Sequence, residues 1–84
     1  MSLKSIILYV KAGCPWCRLA EDYLDRHGYK YERVDVRRHP VGRNELRDIS
    51  GRIYAPTLVV GDLVLSDFGP DELEDFLKEH NILP

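Results

Sequence analysis

The pentapeptide GCPWC, residues 13–17, places the two cysteines of this 84-residue chain three positions apart, directly after a continuous apolar run. The run, Ile6–Val10, is β-branched and aromatic in character, which favours a strand covered on both faces. Gly13 interrupts the run, and Pro15 is a residue that is well tolerated at the first position of a helix. The pattern therefore predicts a central strand that ends shortly before Cys14 and a helix that begins immediately after it.

The rest of the chain alternates between strand and helix patterns. Apolar side chains recur at helical spacing up to residue 27, and Gly28 supplies a C-terminal stop. The helix from Pro40 is expected to be weak, because Gly42 and Asn44 are poor helix formers. The pair at 61–62, Gly-Asp, is a two-residue connection of the kind that closes a hairpin. The predicted elements are strand 6–10, helix 15–27, strand 29–36, a helix from Pro40 anchored by Val41, Leu46 and Ile49, strands 57–60 and 63–65, and a helix from Pro70.

This order predicts an α/β fold with a four-stranded mixed sheet and helices on both faces. Right-handed crossovers predict that the first three strands run parallel and that the hairpin adds an antiparallel fourth strand at one edge. We expect a single domain over residues 1–84. Residues 1–3, MSL, have the character of an expression remnant and are given no functional role.

Charge and hydropathy exclude several classes of function. Residues 55–84 carry one Lys/Arg against seven Asp/Glu, whereas nucleic-acid binding needs a basic face. No apolar run approaches the roughly 18 residues that span a bilayer, and no signal-like segment is present. We therefore expect a cytoplasmic protein that binds neither nucleic acid nor membrane. Residues 30–54 carry seven Lys/Arg against four Asp/Glu, which indicates either a solvated helix face or a site for a small anion or an acidic partner.

The cysteine pair is expected to do chemistry, because two cysteines cannot form the disulfide framework of a small secreted domain. A sulfur at Cys14 lies at the positive end of the predicted helix, which stabilises the thiolate, the nucleophilic form of cysteine. Lys11 is the nearest cation in sequence and either supports that charge or is simply solvated. Cys17, in the first helical turn, projects toward the same end and can attack a mixed disulfide on Cys14.

Trp16, between the two cysteines, either contacts a partner at the rim of the site or belongs to the core. Two other roles for the cysteine pair are less favoured than a redox role. A zinc site is disfavoured because structural zinc takes four ligands, and the three histidines lie on separate predicted elements. An inert disulfide is disfavoured because cytosolic disulfides are usually catalytic or redox-sensing. We therefore expect no metal ligands and a redox role for the cysteines.

The sequence resembles the glutaredoxin branch of the thioredoxin-like fold over nearly its whole length. YVKAGCPWC, residues 9–17, is similar to the strand–Lys–x–x–Cys–Pro–aromatic–Cys signature of that family. YAPTLVVGD, residues 54–62, is similar to the family's threonine-valine-proline segment. The resemblance implies a disulfide oxidoreductase in which Cys14 attacks and Cys17 resolves. It also implies a cis bond before Pro56 and a binding site for glutathione or a substrate peptide that includes Lys11, Pro15, Trp16, Arg52, Ala55 and Pro56.

The last third departs from the usual glutaredoxin pattern. Ser66 and Asp67 stand where glutaredoxins usually have a Gly-Gly pair, and Gly69 and Pro70 stand where an aspartate grips the γ-glutamyl end of glutathione. Residues 61–71 instead resemble the redoxins that serve ribonucleotide reductase and take electrons from thioredoxin reductase. Asp67 is therefore expected either to replace the missing glutathione contact or to have a solvated or capping role.

The resemblance implies glutathione as the reducing co-substrate, with thioredoxin reductase as the alternative electron donor. We expect disulfide-containing proteins as substrates, no tightly bound cofactor, and a monomer. Two alternatives remain open. One is an iron–sulfur carrier in which Cys14 from two chains and two glutathiones hold a [2Fe–2S] cluster, although Pro15 is unlike the glycine-containing motif of dedicated carriers. The other is an interaction module with a vestigial site.

Overall fold

The structure, a computed structural model, describes residues 5–51 and 54–84. Residues 1–3, which have no predicted role, lie outside these ranges. The described elements follow the predicted order: β1 (Ile6–Val10), α1 (Pro15–Arg26), β2 (Glu32–Asp35), α2 (Pro40–Ser50), β3 (Thr57–Val60), β4 (Leu63–Ser66) and α3 (Pro70–Glu79). Within the described ranges, no helix combines the length and the apolar character that crossing a membrane requires.

The strands form one mixed sheet in the order β2-β1-β3-β4. β1 pairs in parallel with β2 but antiparallel with β3, so the prediction that the first three strands run parallel is wrong. The crossover rule governs only connections between parallel strands. Val10 pairs with Asp35 at the end of β2, and Tyr9 pairs with Thr57 at the start of β3. The chain therefore re-enters the sheet at the same end from which it leaves, and the direction of β3 is reversed.

β1 is covered on both faces, as its continuous apolar run predicts. α1 and α3 pack together on one face, and α2 covers the other. The core on the α1 side consists of Ile6, Leu8, Val10, Cys17, Ala20, Leu24, Leu58, Val60, Phe68, Leu73, Leu77 and Ile82. The smaller core on the α2 side consists of Tyr9, Val36, Leu46 and Val59.

α2 buries fewer apolar side chains than predicted. Leu46 is fully buried, but Val41 is 71% exposed and Ile49 is 45% exposed, so these two are not core anchors. Gly42 is buried, and a methyl group added there would lie 2.5 Å from Val34 Cγ1, well inside van der Waals contact. Gly42 therefore lets α2 approach β2 closely, which explains a poor helix former in the first turn of this helix.

Candidate active site

Cys14 is the N-cap residue of α1. Its backbone is extended, and its Sγ accepts a hydrogen bond from the Cys17 backbone N–H at 3.3 Å. The loop before it contains Gly13, whose φ of 82° lies in the left-handed region that favours glycine. Cys14 is half-buried and its sulfur takes the place of a capping oxygen, where the positive end of the helix favours an anion. The geometry therefore suits a thiolate at Cys14.

Cys17 has the opposite surroundings. Both cysteines are free thiols, but Cys17 is only 2% exposed and packs in the core beneath the helix terminus. The pKa of Cys17 is raised from 9.0 to about 12. Burial is the largest cause, and a hydrogen bond to the Cys14 sulfur is the second. Cys17 is therefore a neutral thiol at physiological pH, held next to a half-buried sulfur.

Pro56 lies at the same end of the sheet as Cys14. The Ala55–Pro56 peptide bond is cis, as the family resemblance implies, and Pro56 is buried. Because Thr57 pairs with Tyr9 at the end of β1, the residues just before β3 lie beside the loop that leads to Cys14. Ala55, half-buried, packs against the same core cluster as Cys14. The cis peptide thus borders the cysteine pair.

Asp67 is exposed, and its backbone lies beside Pro56. Its N–H donates to the Pro56 carbonyl oxygen at 2.9 Å, and its φ of 54° lies in the left-handed region. Glycine is the residue best suited to such a φ, and the resemblance places one of the family's two glycines here. Asp67 therefore adopts a backbone conformation that favours glycine while it adds a negative charge.

Trp16 lies at the rim of the site, beside Gly69. It is 56% exposed, so it does not belong to the core. A methyl group added at Gly69 would lie 3.2 Å from Trp16 Cζ3, so the indole lies against the N-terminus of α3. There the Gly69 N–H donates to Glu72 Oε1 at 2.9 Å. The sequence places Glu72 in the first turn of this helix, where an acidic side chain suits the dipole, but does not assign it to the site, although a Glu three residues after a helix cap is a recognisable capping signal.

A cationic cavity lies beside Lys11, in the loop that leads to Cys14. Its volume is about 370 Å³, and it is lined by Lys11, Val36, Arg37 and Arg43. Sequence reasoning noted the basic run that contains Arg37 and Arg43 but did not assign these two to the site. Only the packing of α2 against the sheet determines which of those arginines face Lys11. Arg52, which the family resemblance includes in the binding site for glutathione or a substrate peptide, lies outside the described residues.

A longer groove starts at the cysteine pair and runs along the outer side of α1. It has a volume of about 680 Å³ and brings together Lys11, Cys14, Pro15 and Cys17, four of the predicted site residues. Among the residues that the structure describes, no three His, Cys, Asp or Glu side chains gather as a metal site.

The architecture places the protein in the thioredoxin-like class. The solved glutaredoxin grx-1 of Archaeoglobus fulgidus superposes with a TM-score of 0.78 at 20% identity, covering 92% of this chain and 89% of that chain. The glutaredoxin family model matches residues 6–65, more than half of the sequence. The chain belongs to the glutaredoxin family, and Cys14 and Cys17 form its Cys-x-x-Cys motif.

Relatives fall on both branches that the sequence resembles. Glutaredoxin 1 of Rickettsia bellii is 32% identical over 82 residues, covering 92% of this chain and 81% of that protein. Glutaredoxin-like protein NrdH of Escherichia coli (strain K12) is 30% identical over 66 residues, covering 79% of this chain and 80% of that protein. The solved NrdH-redoxin from Escherichia coli superposes with a TM-score of 0.72 at 28% identity, covering 83% of this chain and 91% of that chain. A hybrid peroxiredoxin, hyPrx5 of Haemophilus influenzae, is 30% identical over 73 residues. The match covers 87% of this chain but only 29% of that protein's length.

Proposed function

We propose that this protein is a dithiol–disulfide oxidoreductase in which Cys14 attacks and Cys17 resolves. The observation that carries this assignment is the asymmetry of the two sulfurs. Cys14 is half-buried and accepts an N–H at a helix N-terminus, whereas Cys17 is 2% exposed and protonated. An attacking sulfur needs access and negative charge, whereas a resolving sulfur needs mainly proximity.

The reaction proceeds in two exchanges. The Cys14 thiolate attacks one sulfur of the substrate disulfide, the S–S bond breaks, and the other substrate sulfur leaves as a thiolate that takes up a proton. Cys17 then loses its proton and attacks Cys14 Sγ, which releases the second substrate thiol and leaves a Cys14–Cys17 disulfide. Two electrons pass from the cysteine pair to the substrate.

The first exchange activates the second. Burial is the largest cause of the raised pKa of Cys17, and the hydrogen bond to the Cys14 sulfur and the negative charge of Cys14 raise it further. Once Cys14 is bound in a mixed disulfide, its charge is gone and Cys17 is easier to deprotonate. Cys17 therefore becomes a better nucleophile after the mixed disulfide on Cys14 has formed, which is when the resolving step is needed.

Glutathione is the reductant that the family and the cationic cavity support. Its carboxylates suit the charge of Lys11, Arg37 and Arg43 beside the cysteine loop. Cys14 and Pro56 are the groups that would hold its cysteine and backbone. We further propose a cytoplasmic location, where the glutathione and thioredoxin systems keep thiols reduced.

The second candidate is a redoxin that takes electrons from thioredoxin reductase and passes them to ribonucleotide reductase. The arrangement at α3 supports it. Glu72 already occupies the Gly69 N–H, and Asp67 adds a further negative charge beside Pro56. Both oppose the γ-glutamyl carboxylate of glutathione, and residues 61–71 resemble those redoxins.

A parallel assay tests both candidates. Reduction of a small diffusible disulfide is followed with glutathione, glutathione reductase and NADPH, and separately with thioredoxin reductase and NADPH. We expect turnover in at least one system and its loss in the Cys14→Ser variant. Turnover that only thioredoxin reductase sustains would favour the second candidate. An inactive wild-type protein in both systems, or an active Cys14→Ser variant, would overturn the proposed function.

A further inference from the structure

We propose that the groove along α1 is a docking site for an extended segment of the disulfide-bearing protein substrate. That segment is acidic beside its reactive cysteine and basic about five residues further along. The inference rests on the proposed function, because it takes Cys14 as the attacking sulfur. The α1 groove is defined by Lys11, Cys14, Arg18, Glu21, Asp22, Asp25 and Arg33.

The groove has the shape of a track for an extended chain. Positions 14, 18, 21, 22 and 25 lie on one face of α1, and Arg33 from β2 lines the groove with them. β2 is an edge strand of the sheet, so within residues 5–51 and 54–84 no further strand pairs with its outer edge. From Cys14 to Asp25 the helix rises by about 16 Å, which an extended chain covers in about five residues.

The two ends of the groove carry opposite charges. Lys11 and Arg18 lie at the Cys14 end, and Asp22 and Asp25 lie at the far end. Between them, Glu21 and Arg33 form an ion pair at 3.0 Å. A substrate segment therefore meets positive charge near its cysteine and negative charge about three helical turns away.

Each far-end carboxylate has one neighbour that matters for docking. Asp25 Oδ1 accepts a hydrogen bond from the Tyr31 hydroxyl at 3.0 Å, which fixes the carboxylate without neutralising it. Asp22 pairs with Arg26 at 3.3 Å, but both side chains are largely exposed, at 63% and 75%. An exposed pair of this kind is weak, so a substrate lysine can replace Arg26.

Glutathione is too short to use this site. It extends one residue on either side of its cysteine, and each residue spans about 3.3 Å. It therefore cannot reach from Cys14 to Asp25. The far end of the α1 groove therefore distinguishes a protein substrate from glutathione, and neither Pro56 nor Asp67 lines the groove.

Peptide disulfides with charged tails test this inference. Each probe is a mixed disulfide between a reporter thiol and a peptide whose cysteine is five and six residues from two lysines. A matched probe carries two glutamates instead, and both tail directions are made. We expect kcat/KM to favour the lysine tail by about three- to tenfold in one direction, since exposed charge pairs contribute modestly. The preference should disappear in about 1 M salt.

Variants assign that preference to the groove. The double variant Asp22→Asn, Asp25→Asn should lose it while reducing an untailed disulfide as the wild type does, and Asp25→Lys should favour the glutamate tail. The control Asp75→Asn, Glu79→Gln removes two exposed charges from α3 and should change neither. Equal kcat/KM for the two tails in the wild type would overturn the inference and leave the proposed function intact. Failure to reduce even the untailed disulfide would overturn both.

Discussion

At the scale of single residues, the N-terminus of α1 gives two cysteines different chemistry. Cys14 caps the helix and is partly accessible, whereas Cys17, one turn later, is buried in the core. The spacing alone predicts this pair, because it places one sulfur at the cap and the other in the first turn. The spacing does not predict Arg43 on α2 or Glu72 on α3, which reach the site through helix packing, or Arg37, which lies in the turn between β2 and α2.

The raised pKa of Cys17 predicts how the reduced protein responds to alkali. Folding holds the proton of Cys17 more tightly, since the pKa rises from 9.0 to about 12. This contribution to stability is complete below a pH of about 9 and is lost as the pH rises toward 12. We expect the free energy of unfolding of the reduced protein to fall over that range, and to fall less steeply in Cys17→Ser.

Denaturant unfolding under reducing conditions at several pH values measures this difference. The tyrosines also titrate at high pH, so the comparison between wild type and Cys17→Ser isolates the cysteine. Identical slopes in the two proteins would contradict a buried, protonated Cys17.

At the scale of elements, α2 shows how tertiary packing overrides local propensity. The sequence marks this helix as weak and names Val41 and Ile49 as anchors, yet both are exposed. The helix depends instead on Leu46 and on the close approach that Gly42 allows to Val34. Helical periodicity identifies the element, but it cannot say which of its apolar residues faces the sheet.

Gly42→Ala is expected to destabilise the protein. Alanine gains about 1 kcal/mol in helix propensity over glycine. Its methyl group, however, would meet Val34 Cγ1 at 2.5 Å, and a β-branched side chain against the sheet cannot move aside freely. Overpacking of this kind costs about 1–3 kcal/mol, so the net effect is a loss of stability.

Asn44→Ala is the matched control, because Asn44 is exposed on the same helix. It should leave the melting temperature unchanged or raise it slightly, whereas Gly42→Ala should lower it. A Gly42→Ala variant more stable than the wild type would show that α2 does not pack against Val34 as described.

At the scale of the whole molecule, the direction of β3 creates the site. If the first three strands ran parallel, Pro56 would enter the sheet at the end opposite Cys14. The antiparallel pairing of Tyr9 with Thr57 instead brings the cis peptide to the cysteine loop. The order of elements and the sheet with helices on both faces follow from apolar periodicity and turn residues. Strand direction does not follow from these signals, because it depends on the end of the sheet to which the chain returns after α2.

The proposed function requires that Cys14 attacks and Cys17 resolves, and trapping the intermediate tests this most directly. Reduced Cys17→Ser is mixed with a disulfide substrate, and the products are mapped by mass spectrometry of proteolytic peptides. We predict one mixed disulfide per chain, on Cys14, that persists until external thiol is added, and no adduct in Cys14→Ser. The assignment of the two cysteines would be contradicted if Cys14→Ser formed a stable adduct on Cys17 as fast as Cys17→Ser forms one on Cys14.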